Sequence, residues 1–154
     1  MDSQHLLKRL GTARGFTLQT LGDLTPAQWT AIPEGFSNNI LWNAAHIAAT
    51  QARLLYMLNG LPAPIPESLA EKAIRGTSPK DWTDPLTPEE VLDVLQRLVP
   101  QAIEDDAAGK FNQYKPLELR PDLKLETFED AILFAILHEG MHIGMIMEMK
   151  KLVK

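Results

Sequence analysis

The chain has 154 residues, 45% of them hydrophobic and 23% charged, which suits one domain able to bury a core without disulfides or a structural metal. Its 15 basic and 20 acidic side chains give a formal net charge of -5, and no Lys/Arg cluster exceeds Lys150-Lys151, so neither nucleic acid nor an anionic membrane is expected as a partner. Cysteine is absent, which excludes disulfides, thiolate zinc ligands and a cysteine nucleophile, and leaves histidine and carboxylate to hold any metal.

The N-terminal stretch MDSQHLLKRLGTARGF carries charges inside its apolar run, and no uninterrupted apolar stretch reaches membrane-spanning length, so a soluble, cytoplasmic protein is expected. Strand-like alternation is weak throughout, whereas four segments have helical periodicity. The first covers about Ser3 to Leu21, with Leu6, Leu10, Ala13, Phe16 and Leu21 near one side. The second covers about Asn38 to Asn59, with Ser37 as a possible cap, and stops at Gly60 and the Pro-rich LPAPIP. A crossover from Leu61 to Leu86 has room for one short helix around Glu67 to Ile74. The third helix opens at Thr87, where Glu90 completes a capping box and Pro88 suits the first turn, and it ends near Gly109. The fourth starts near Thr127 and runs to about Leu152. These elements predict an all-α four-helix bundle over residues 1–154, with a long crossover between helices two and three.

The last helix contains LHEGMHIG, Leu137 to Gly144, and with it the pattern HExxH. On a helix His138 and His142 project about 40° from each other, so both imidazoles can reach one point. Ala131, Phe134, Ala135, Met145, Met149 and Leu152 share their stripe and mark it as core-facing. A buried imidazole without a partner costs about 1–3 kcal/mol. Backbone carbonyls or hydroxyls can satisfy each ring separately, and one metal ion can satisfy both together. Of the other two histidines, His5 lies in a first turn prone to fraying, while His46 lies mid-helix. A site of His46, His138 and His142 with open positions for water or substrate is the economical expectation. A metzincin protease would place a third histidine where Glu148 stands, and no strand offers an edge for a peptide.

Glu139 projects about 60° from His142, beside the metal face, as a candidate general base or an interhelical carboxylate. Asn39, Trp42, Thr50, Arg53 and Met57 fall within about 40° of His46. Trp42 suits a pocket wall. Asn39 and Thr50 suit substrate or ligand-supporting contacts, with capping and local backbone bonding as the alternatives. Arg53 can clamp a substrate carboxylate or reach into solvent. Between Ala131 and Met149 only Glu139 and Glu148 are charged, so Met141, Ile143, Met145, Ile146 and Met147 call for cover on two sides. A second subunit in an isologous homodimer would supply one of them.

A histidine after a Trp in LWNAAHIA, a Pro-rich crossover with RGTSP, and a last helix bearing HExxHIG together resemble the DinB-like superfamily over most of the chain. The resemblance implies a four-helix bundle, commonly homodimeric, and a divalent metal, zinc or nickel, bound by three histidines that correspond to His46, His138 and His142. It implies relatives that are S-transferases using a low-molecular-weight thiol such as bacillithiol, mycothiol or glutathione, and a maleylpyruvate isomerase. Relatives often carry Gln where Met145 follows Gly144 here, which removes any contact such a Gln makes and makes Met145 a candidate pocket residue. The leading expectation is a metal-dependent thiol S-transferase acting on a small electrophile. The alternatives are a metal-binding or interaction bundle without catalysis, a metal-free bundle with an ordinary core, in which His46 would lie far from the pair, and, behind these, a metal-dependent hydrolase.

Overall fold

Each long helix begins where a side chain can satisfy its open amide groups, an effect worth about 1 kcal/mol per cap. In the computed structural model, which describes residues 1–154, Asp2 caps α1 (Ser3–Leu21) by accepting from the His5 amide at 2.8 Å. A short helix, α2 (Pro26–Thr30), follows behind a Thr25–Gln28 capping box that the hydrophobic pattern does not register. Asn39, not Ser37, caps α3 (Ile40–Leu55), accepting from the Trp42 amide at 2.8 Å. A 3-10 turn over Met57–Asn59 then ends at Gly60, whose φ of 71° needs glycine's freedom. The crossover contains α4 (Glu67–Lys72) and leads to α5 (Pro88–Ala107), opened by the expected Thr87–Glu90 box. A Thr127–Asp130 box opens α6 (Phe128–Leu152).

Ahead of α6 lies a hairpin of β1 (Leu117–Arg120) and β2 (Leu123–Leu125), paired antiparallel. Its alternation spans too few residues to stand out in the sequence, and Pro121 falls in the turn.

In the four-helix bundle α1 and α3 each pack against both α5 and α6. Two apolar clusters fill it. One gathers Ile40, Ile47, Val94, Leu95, Ile146 and Met149, and the other gathers Leu7, Leu10, Leu54, Leu98, Phe128 and Ile132. Each fully buried Leu or Ile contributes about 1.5–3 kcal/mol.

Between the clusters lies a polar layer. Arg14 donates from Nε to Glu139 Oε1 at 2.7 Å, from Nη1 to the Leu95 carbonyl at 2.6 Å and from Nη2 to Gln51 Oε1. Glu139 also accepts from the Thr17 hydroxyl and the Gln51 amide, both at 2.6 Å. This corrects the expected orientation of α1: Arg14 and Thr17 face inward, and Phe16 is 59% exposed. The helix accepts a charge in its core because the partner carboxylate, 0% exposed, is already there.

On α6, Ile146 and Met149 enter the core, while Leu133, Leu137, Met141, Met145 and Met147 remain exposed. Length and composition alone would allow α6 to cross a membrane. In this fold its inner side is occupied by Glu139, His138, His142 and the bundle core.

Replacing one partner of the buried pair, as in Arg14→Leu or Glu139→Leu, should cost about 3–5 kcal/mol, because the other charge is left unpaired in the core. The double replacement should cost clearly less than the two single losses combined. Urea unfolding at neutral pH reads both, and additive losses would contradict the coupling.

Candidate metal centre

His46 stands in the middle of α3 and His138 and His142 one turn apart on α6, and packing of these two helices brings the three rings together. One ring nitrogen from each lies within 4.8 Å of the others. The hydrogen bonds around them assign two tautomers. His46 Nδ1 faces the Ala73 carbonyl at 2.5 Å, and a carbonyl only accepts, so Nδ1 carries the proton and Nε2 keeps its lone pair. His142 Nδ1 lies 2.7 Å from Asn43 Oδ1. The Asn43 amide nitrogen is committed to Asn38 Oδ1 at 3.0 Å and the Asn39 carbonyl at 2.8 Å, so Oδ1 accepts and His142 Nε2 is also unprotonated.

His138 completes the cluster, with its Nε2 3.2 Å from His46 Nε2, but its Nδ1 is buried and has no hydrogen-bond partner. Hydrogen bonding within the protein therefore does not satisfy this ring in either tautomer. Converging neutral nitrogens, two of them oriented by outer partners, fit a divalent ion of the kind imidazole favours.

Burial favours the neutral rings. It pushes His138 down to about 3, with the nearby His142 and His46 adding to the effect, and it pushes His142 down to about 4, with His46 adding. Burial also lowers His46, against the opposing hydrogen bond to Ala73. Protons therefore compete weakly for these nitrogens at neutral pH.

The pocket beside the cluster has a volume of about 450 Å³ and is lined by His46, His138, Thr50, Arg53 and Phe134, with further walls from the crossover and from Leu117 and Leu119 of β1. A second cavity, about 550 Å³, lies among Leu18, Trp29 and Leu92 and contains none of the histidines.

The structure thus brings Thr50 and Arg53 to the pocket with His46, and the Thr50 hydroxyl lies 3.5 Å from His46 Nε2. Trp42 stands behind the site instead of lining it. Its ring stacks on His46 with centroids 4.6 Å apart, and its indole donates to Thr77 at 2.9 Å. Asn39 is occupied at the start of α3, capping the helix and donating to the Thr30 carbonyl at 3.0 Å. Met145 lies outside the pocket lining, 39% exposed. Glu139 points into the polar layer, its oxygens taken by Arg14, Thr17 and Gln51, and is not poised as a general base. Asn43 and Ala73, which orient two of the rings, were not among the sequence candidates. Asn43 lies only three residues before His46, near enough for its side chain to serve the same layer.

In metal-free protein His142 and His138 should stay neutral well below pH 6.5, titrating near pH 4 and 3, with His46 also shifted below its ordinary value. The unfolded chain protonates the same histidines near pH 6.5, so the stability they contribute is complete above that value. It is lost as pH falls toward 4, where unfolded chains take up protons that folded ones refuse. Ring NMR resonances of the stripped protein check this, and ordinary titration of all three near 6.5 would contradict the buried cluster.

Comparison with curated proteins finds no match to the chain. A family model described as the DinB superfamily matches residues 9–146, a span that contains all three histidines together with Arg14, Asn43 and Glu139. By that match and by its helical fold, the chain belongs to the DinB superfamily.

Proposed function

We propose that this protein is a metal-dependent transferase that joins a small electrophile to a low-molecular-weight thiol, with zinc or nickel held by His46, His138 and His142. The observation that carries the reading is that His46 and His138 belong both to the ligand cluster and to the pocket wall. A small molecule can therefore approach the cluster from a cavity, as a catalytic centre needs and a sealed structural site does not.

A divalent ion bound there supplies the acidity that makes a thiol nucleophilic near neutral pH, which suits a chain with no cysteine of its own. The protein's residues do the rest. Ala73 and Asn43 hold two rings with their lone pairs toward the common point, and the Trp42 stack limits rotation of His46. The Thr50 hydroxyl can donate a hydrogen bond to a group bound beside His46. Leu54, Leu117 and Phe134 exclude water from one side of the bound molecule. With Glu139 committed to Arg14, the thiol proton would pass to solvent through the open pocket, together with the group that the sulfur displaces, or to the atom of the electrophile that opens where the sulfur adds.

Metal analysis of untagged protein should find a stoichiometric divalent ion in the wild type and its loss in His46→Ala. Asn43→Leu keeps every ligand but frees His142 Nδ1, and should weaken affinity about 10–100-fold. A wild type without stoichiometric metal, or a His46→Ala variant that retains it, would remove the triad.

Thiols incubated with a panel of electrophiles should give conjugates that vanish with chelator and return with added metal. Conjugation indifferent to chelator would defeat the mechanism. Tight metal binding without conjugation by any thiol would assign the cluster to a non-catalytic metal-binding bundle.

A further inference from the structure

The chain has six arginines, and their partners divide them. Arg14 is engaged by Glu139, Arg97 by Asp93 and the Pro64 carbonyl, Arg120 by Asp122, and Arg9 by His5. Arg53 and Arg75 donate to nothing in the protein, and both line the pocket beside His46 and His138. They reach it from separate elements. Arg53 lies two turns beyond His46 on nearly the same side of α3, about 10 Å further along the helix axis at 1.5 Å per residue. Arg75 follows by two residues the Ala73 carbonyl that holds His46. Glu71, the one carboxylate on the lining, forms an ion pair with neither arginine.

The wall near the arginines is apolar. Met57 and Ile74, 55% and 54% exposed, and Leu119, 37% exposed, stand open to the pocket beside Leu54 and Phe134. Large side chains left uncovered around a concave surface gain from covering by an apolar molecule. A strongly polar thiol would leave that surface unused, so the wall suits the electrophile better.

We propose that the pocket selects elongated, mainly apolar molecules carrying a carboxylate, with the acid paired by Arg53 and Arg75 and the apolar body extending along α3 toward His46. A guanidinium pair suits the planar, two-oxygen geometry of a carboxylate. The distance between Arg53 and His46 places the reacting atom several bonds from the acid. The identity of this molecule as the transferase's electrophile rests on the proposed reaction, whereas its binding does not.

Isothermal titration with octanoate and octanamide separates the two. Both ligands are titrated into metal-loaded and metal-stripped protein, with the wild type compared to the Arg53→Ala/Arg75→Ala double variant. Both arginines are exposed, so the double variant should match the wild type in its thermal melt. Octanoate should bind about tenfold tighter than octanamide to both wild-type forms, as expected for charge-assisted hydrogen bonds to a carboxylate. The double variant should lose this preference and bind octanamide unchanged. Equal binding of the two ligands, no binding of either, or a preference that survives in the double variant would overturn the proposal. Failure of the transferase reading would register separately, as octanoate binding without metal-dependent conjugation.

Discussion

The ion pair between Arg14 and Glu139 touches every helix of the bundle. Arg14 extends from α1 to the α5 backbone at Leu95, Glu139 reaches back from α6, and Gln51 of α3 bonds to both. Two unlike charges removed from water are tolerable only when their remaining hydrogen-bonding capacity is met, and here Thr17 and the Leu95 carbonyl help to meet it. An apolar core of leucines accepts neighbouring registers at small cost. A layer with this many directional bonds accepts one. It also fixes the rotation of α6: Glu139 stands about 100° from His138 and 60° from His142 around the helix, so anchoring its carboxylate turns both imidazoles toward α3. The carboxylate of HExxH thus contributes to the histidine cluster by setting its orientation.

The crossover has a matching part in the site. Ala73 is the residue at which α4 ends, and its carbonyl, freed from helical bonding there, accepts from His46. Thr77, four residues on, holds the Trp42 indole that stacks against the same ring. Arg75 and Ile74 lie between these anchors on the pocket wall. A stretch rich in proline and without a long helix therefore both orients one imidazole of the cluster and shapes the cavity beside it.

Much of this was legible in the sequence. The Thr87–Glu90 box, the stop at Gly60 and the i, i+4 pairing of His138 and His142 are local, and local patterns survive folding. His46 could be found by elimination among few histidines. Partners brought together by the fold could not be read in this way. Arg14 and Glu139 are 125 positions apart, and a pattern that assigns apolar side chains to the core turns α1 toward Phe16. Asn39 was ambiguous because asparagine suits a helix cap and a binding site equally, and only the geometry of Trp42's amide decides between them. The short hairpin, whose Leu117 and Leu119 reach the pocket, gave too brief an alternation to stand out.

The adjacent rings of His46 and His138 are 92 positions apart along the chain. A metal ion shared between them would tie together the ends of a loop that runs through the crossover, α5 and the hairpin, by coordination and not by a bond that outlasts unfolding. Because such an ion binds only where folding brings the rings together, its binding free energy would add to the stability of the folded chain. The same imidazoles that face the pocket are thus placed to act as a reversible staple, linking the early and late portions of the polypeptide.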